Sequence, residues 1–152
     1  FNLQIYFLHH RFAGQVEINS STGGVIQDRT IYEDVEIFAK NLHKMNYMTD
    51  RDWSTYENLF KNMTQFLKKP DLIIYLKAST DTLLSRIHNR DRDFERDISP
   101  EYLHSLNISY DKWINNCTDQ KVITIESDGF NIFKDNEKLD TILNQIESGL
   151  TT

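Results

Sequence analysis

The stretch Val25-Ile26-Gln27-Asp28-Arg29-Thr30-Ile31-Tyr32-Glu33-Asp34 decides how this chain is read. It starts with a short apolar run, Val25-Ile26. It then turns abruptly to a carboxylate, a guanidinium and a hydroxyl, and closes on two more acids. An apolar run that breaks into charge and then into helical periodicity predicts a buried strand, Val25 to Gln27, leading into a helix. In open α/β sheets, ligands bind just beyond the carboxyl ends of strands. Asp28 and Arg29 fall at that edge, with Glu33 and Asp34 about one helical turn further on. The Asp-Arg pair either closes the sheet edge as an ion pair or belongs to a binding site.

The chain around this stretch has 152 residues, enough for one compact domain with a sizeable core. Hydrophobic residues make up 39%, which separates it from disordered tails. Lys and Arg number 17 against 23 Asp and Glu, a net charge of −6. That balance argues against broad binding to nucleic acid or anionic membranes, but leaves room for a local basic cluster around a phosphate. The single Cys117 excludes an internal disulfide framework and a cysteine-rich zinc site, and fits a reducing cytoplasm. No apolar run approaches the ~18 residues of a membrane-spanning helix. Phe1 falls inside a helix-like pattern without Met or a signal-peptide layout, so the start reads as a missing front end.

Upstream, Leu3, Phe7, Leu8, Phe12 and Val16 recur at helical spacing and predict a helix from Phe1 to about Ile18. Gln4 and Arg11 share a face of it, two turns apart. An amide and a guanidinium there either bracket a flat polar ligand or are ordinary solvated residues. Downstream, a helix over Ile31 to Met45 carries Ile31, Val35, Phe38, Ala39 and Leu42 on one side. Phe38, four residues past Asp34, either packs in the core or stacks on a base. Thr49 or Asp50 caps a third helix reaching about Lys68.

Leu72-Ile73-Ile74-Tyr75-Leu76 is the clearest strand, and its unbroken apolar run predicts burial on both faces. Ser79 or Thr80 caps the next helix, and Ser99-Pro100-Glu101 starts another. Val122 to Ile125 is a third strand, followed by a helix capped by Asp135 or Asn136. Strands alternating with helices predict a parallel sheet with crossover helices.

Between two of those helices lies Asn89-Arg90-Asp91-Arg92-Asp93-Phe94-Glu95-Arg96-Asp97. Arg86 and Arg90 are one helical turn apart, and Arg92 and Arg96 follow. Guanidinium is always protonated and matches phosphate oxygens bidentately, so this cluster suits a transferring phosphoryl group. The segment either closes over a ligand as a lid or is a solvated surface loop. Glu95, among arginines, is placed to stay ionised and accept a hydrogen bond from a sugar hydroxyl.

Taken together and in this order, these residues resemble the deoxyribonucleoside kinase family over nearly the whole chain. The resemblance implies an α/β, P-loop kinase-like three-layer fold, a parallel β-sheet flanked by helices, as one domain over residues 1–152 with a lid at 86–97. It implies that Gln4 reads the nucleobase edge, that Arg11 and Asp34 form the pair that shapes base preference, and that Phe38 stacks on the base. Asp28-Arg29-Thr30 is similar to the family's acid-Arg-Ser segment, with Asp28 helping to hold Mg2+ and Arg29 beside the 5′-oxygen and the acceptor carboxylate. Arg86, Arg90 and Arg92 resemble the lid arginines that clasp the donor phosphates, and Glu95 the lid glutamate that bonds the 3′-hydroxyl. Transfer of the ATP γ-phosphoryl group to the 5′-hydroxyl of a deoxynucleoside in nucleotide salvage follows as an expectation. So do a purine substrate and a cytoplasmic homodimer.

One departure stands out. The five glycines, Gly14, Gly23, Gly24, Gly129 and Gly149, include none before a lysine. The phosphate-cradling Gly-x-x-x-x-Gly-Lys-Ser/Thr loop is therefore not in these 152 residues, nor is the family's acid that accepts the 5′-hydroxyl proton. The resemblance places both upstream of Phe1, so the expectation is a longer N-terminus and no kinase activity from these residues alone. The family's first strand would lie between Val25–Gln27 and Leu72–Leu76, which then could not pair directly at ~4.8 Å. The open alternatives are a nucleoside monophosphate kinase of the thymidylate type and a non-catalytic nucleotide-binding remnant.

Overall fold

Helix caps and turn chemistry divide the chain much as the sequence predicts. The computed structural model describes residues 1–95 and 97–151; Arg96, part of the predicted arginine cluster, lies outside them. The chain divides into two compact units, Phe1–Lys68 and residues 69–152. No helix among the described residues is long and apolar enough to cross a membrane.

The first unit is helical: α1 (Asn2–Ser20), α2 (31–44) and α3 (Asp50–Thr64). Thr30 caps α2, its hydroxyl accepting from the Tyr32 N–H while the Glu33 carboxylate accepts from the Thr30 N–H. This reciprocal capping box satisfies donors that a helix start leaves orphaned. Thr49 caps α3 by accepting from the Asp52 N–H. Leu8, Ile31, Val35, Ala39, Met48 and Tyr56 form the buried core, with Phe12, Trp53 and Phe60 packed against it.

Two expectations need correction here. Val25 to Gln27 is not a strand: the sheet has two strands, neither of them this segment, and Ile26 is 99% exposed. Apolar, β-branched character makes a segment fit for a sheet, but only a partner's N–H and C=O groups make it a strand. The buried face of α1 also differs. Leu8 and Phe12 turn inward as expected, but Leu3, Phe7 and Val16 are exposed, while Gln4 and Gln15 are buried. Two polar side chains thus occupy the inward face that hydrophobic periodicity alone assigned to apolar residues.

The second unit pairs β1 (Ile73–Lys77) with β2 (Val122–Glu126) in parallel, Ile73 opposite Val122 and Lys77 opposite Glu126. The connection runs through α4 (Thr80–Arg90), a single 3-10 turn (Asp93–Glu95) and α5 (Pro100–Asn115); α6 (Asn136–Thr151) then packs back on β2. Ser79 and Ser99 cap α4 and α5, with Pro100 at the first turn where it sacrifices no hydrogen bond. Tyr75 stacks on Tyr110 at 6.1 Å and donates its hydroxyl to Asp111 at 3.2 Å. β1 is not buried on both faces as expected. Ile74 and Leu76 are exposed while Ile73 and Tyr75 are half-buried, Tyr75 lying against Tyr110 of α5.

Candidate active site

In the first unit, Arg11 is the residue around which the predicted groups gather. Its Nη1 donates to the Arg29 carbonyl at 3.1 Å and lies 3.5 Å from the Asp28 carbonyl. Its Nε stands 3.5 Å from Asp34 Oδ2. A single guanidinium on α1 therefore fixes both the loop before α2 and the carboxylate in its first turns. Arg29 holds a left-handed backbone, φ 64°, which non-glycine residues adopt at a cost and which recurs at functional sites. The Arg11 hydrogen bond to its carbonyl is what the structure supplies to keep it there. The Arg29 guanidinium sits 4.5 Å from the centre of the Phe38 ring, a cation–π contact.

Asp34 and Phe38 are both on a stretch of α2, Asp34–Ala39, wound as a π-helix. Such wide turns are rare and often mark functional positions. Burial pushes the Asp34 carboxyl above its ordinary range; Arg11 and Arg29 pull against that, while Glu33 adds to it. Asp34 Oδ2, with only the 3.5 Å ion-pair approach of Arg11, has no hydrogen bond. Gln4, one turn before Leu8 on the buried face of α1, has an Oε1 with no partner. The Tyr56 hydroxyl on α3 is equally buried and unpartnered. Three orphaned polar atoms in one small core are unusual, because buried polar groups are nearly always satisfied. They leave two acceptors and one donor in this unit without a hydrogen-bond partner among the described residues.

Asp28 stands apart. Its carboxylate is exposed and has no side-chain partner among the described residues; only its backbone carbonyl joins the Arg11 network. No group of three or more His, Cys, Asp or Glu side chains among the described residues could hold a metal ion. A lone exposed carboxylate still fits Mg2+, which keeps several waters and takes only one or two protein carboxylates beside substrate phosphates.

In the second unit the arginines split. Arg90 donates to Glu95 through Nε at 3.0 Å and Nη2 at 2.6 Å, and Arg92 Nη1 lies 3.7 Å from the other carboxylate oxygen. Glu95 is thus clasped by two guanidiniums, in a turn reached through Asp91, whose left-handed φ of 47° ends α4. Arg86 points elsewhere, donating to the Ser127 carbonyl at 2.5 Å and its hydroxyl at 3.2 Å just past β2. Asp128 accepts from the Ser79 N–H at 2.9 Å, tying the same turn to the start of α4. A surface hollow of about 560 Å³ beside Lys121, Ile123 and the last turns of α6 holds none of the predicted residues. It is a shallow cleft between β2 and α6, not a lined site.

Sequence reasoning grouped Gln4, Arg11, Asp34 and Phe38 for the base, Asp28 with Arg29, and Arg86, Arg90 and Arg92 for the phosphates beside Glu95 for the sugar. In the structure Arg11, Arg29, Asp34 and Phe38 are linked by contacts, and Glu95 pairs with Arg90 and Arg92. Sequence reasoning missed Tyr56 and Ser127. Tyr56 carried a usable signal: a tyrosine at a core position brings a hydroxyl that needs a partner. Ser127 carried none, since its role depends on a guanidinium 41 residues away.

Comparison with known proteins adds the following. The family model for deoxynucleoside kinase matches residues 1–151. A deoxyadenosine kinase from Dictyostelium discoideum is 45% identical over 118 residues, covering 78% of this chain and 48% of its own length. A deoxyadenosine/deoxycytidine kinase from Bacillus subtilis is 36% identical over 150 residues, covering 97% of this chain and 69% of its own length. The chain thus spans between about half and about two-thirds of the length of these relatives. Among solved structures, a deoxyadenosine kinase from M. mycoides with dCMP and dCDP bound superposes with a TM-score of 0.82 at 30% identity, covering 97% of this chain and 73% of that one.

Proposed function

The chain belongs to the deoxynucleoside kinase family and has its P-loop kinase-like α/β fold, and from that we propose an ATP-dependent kinase that phosphorylates the 5′-hydroxyl of a purine deoxynucleoside. The 5′-hydroxyl gives up its proton to a general base and its oxygen forms a bond to the γ-phosphorus of ATP as the bond from that phosphorus to the β,γ-bridging oxygen breaks, leaving ADP. The observation that carries the reading is the set on α1 and α2: buried Gln4 with an oxygen that has no hydrogen-bond partner, and buried Asp34 ion-paired to Arg11, which also donates to the Arg29 carbonyl.

In this reading Gln4, Arg11 and Asp34 read the base edge, and Phe38 stacks on it once the Arg29 guanidinium swings to the 5′-oxygen. There Arg29 orients the acceptor and steadies the charge that builds on the phosphoryl oxygens. Residues 86–97 act as the lid. Arg90 and Arg92 exchange Glu95 for donor phosphates, and Glu95, released, accepts from the 3′-hydroxyl. Arg86 reaches phosphate only by leaving Ser127. Asp28 would hold Mg2+, which would supply charge neutralisation at the phosphates. A homodimer in the cytoplasm completes the proposal. Ile31, Val35 and Ala39 of α2 are buried in their own unit and are not free for that interface.

The test is a panel of deoxynucleosides and their monophosphates with Mg2+-ATP and the full-length protein, read as ADP release. Turnover with deoxyadenosine or deoxyguanosine is expected. Turnover with monophosphates alone would move the chain to thymidylate-type chemistry, and ATP binding without turnover on any acceptor would make it a binding remnant.

A further inference from the structure

Tyr56 is 0% exposed, and its hydroxyl has no hydrogen-bond partner among the described residues. Two other buried atoms of the same unit share that condition, Gln4 Oε1 and Asp34 Oδ2. Their positions are linked through the core. Tyr56 packs with Leu8, one turn beyond Gln4 on α1, and with Ile31 and Val35, which flank Asp34 on α2. The Asp34 charge reaches the phenol: burial first, and Asp34 second, push the Tyr56 hydroxyl to hold its proton well above its ordinary range. A tyrosine that never ionises is a dependable donor, while a carbonyl oxygen and a carboxylate oxygen can only accept. Of the three orphans, the phenol alone can donate.

We propose that Tyr56 is a positioning residue for Asp34: its hydroxyl, through one bridging water, turns the carboxylate toward the base and keeps it in its accepting form. The proposal rests on the reading of Asp34 as a base-reading group. Four residues face Asp34 from every element packed on it. Arg11 on α1 and Arg29 in the preceding loop favour its charge, Glu33 on α2 opposes it, and Tyr56 on α3 is the uncharged donor. If the phenol merely filled space, nature would lose nothing with phenylalanine, since an orphaned buried hydroxyl is a net cost.

Tyr56→Phe in the full-length protein separates these cases. The Asp34 side-chain carboxyl is followed by carbon-13 NMR against pH, with Asp34→Asn identifying the resonance. The titration is expected to move up by about one pH unit, as one donor to the charged form is lost. The KM for deoxyadenosine should rise about tenfold with kcat changed little. An unmoved Asp34 titration overturns the proposal whatever the enzyme's substrate. A moved titration with unchanged KM overturns it too, since Tyr56 would then be a bystander to binding. A moved titration in a protein that neither binds nor phosphorylates any deoxynucleoside supports the Tyr56–Asp34 coupling and refutes the substrate reading instead.

Discussion

Replacing Arg11 by Ala should destabilise the protein in a way that depends on pH through one carboxylate. Arg11 makes a charged hydrogen bond to the Arg29 carbonyl at 3.1 Å and an ion pair with Asp34 at 3.5 Å. The ion pair is worth about 5 kcal/mol gross at an effective dielectric of ~20, and the hydrogen bond ~1.5–3. Desolvation of Asp34, whose side chain is 7% exposed, offsets much of the first, and water at the 32% exposed Arg11 screens it further. The expected net loss is about 2–3 kcal/mol at pH 7. Its pH dependence follows from Asp34, whose folded pKa is raised above the ordinary 3.8. The folded protein therefore binds this proton more readily than the unfolded chain, and Asp34 takes stability away as pH rises from 3.8 through its folded value. Losing Arg11 removes a favourable charge and lifts that folded value further. The deficit of Arg11→Ala is then largest at neutral pH and shrinks to about 1.5 kcal/mol near pH 3.8, where only the carbonyl hydrogen bond is missed. Urea unfolding followed by circular dichroism at both pH values, alone and on an Asp34→Asn background, measures it. An equal deficit at both pH values, or one undiminished by Asp34→Asn, would refute the coupling of Arg11 to Asp34.

Three further outcomes are open to direct measurement. Arg29→Ala should lower kcat/KM for the deoxynucleoside by about 100- to 1,000-fold, and steady-state kinetics showing retained activity would remove Arg29 from the acceptor site. Glu95→Gln keeps the side-chain shape but loses its charge, so preference for a deoxynucleoside over its 2′,3′-dideoxy analogue should fall from roughly tenfold toward none; an unchanged ratio in competition assays would place the 3′-hydroxyl elsewhere. A Cβ on Gly149 would lie 2.9 Å from Ile123 Cδ1 and 3.3 Å from Leu72 Cδ2. Gly149→Val should therefore cost about 2–3 kcal/mol in thermal unfolding by overpacking, while Gly149→Ala stays near neutral because a helix gain of about 1 kcal/mol offsets the shift of one flexible methyl.

Much of the scaffold was legible in the residues themselves. Thr49, Ser79 and Ser99 mark helix starts because a hydroxyl at the cap satisfies an N–H two or three residues ahead, within the reach of local sequence. β1 and β2 showed as apolar runs, and Gln4, Arg11, Asp34 and Phe38 were grouped only through the chain's resemblance to a family, since each alone read equally well as an ordinary helix or core residue. Other features depended on what the chain meets in space. Val25 to Gln27 has strand-like residues but no strand, because pairing belongs to two segments and cannot be encoded in one. The α-to-π change at Asp34–Ala39 alters which carbonyl each N–H meets without any marker in composition. Above all, sequence named the arginines but not their partners. That Arg86 turns to Ser127, that Arg90 closes on Glu95, and that the Tyr56 hydroxyl is left without a partner near Asp34 were decided by tertiary packing alone. A long side chain reaches several candidate neighbours, and only the folded backbone selects one.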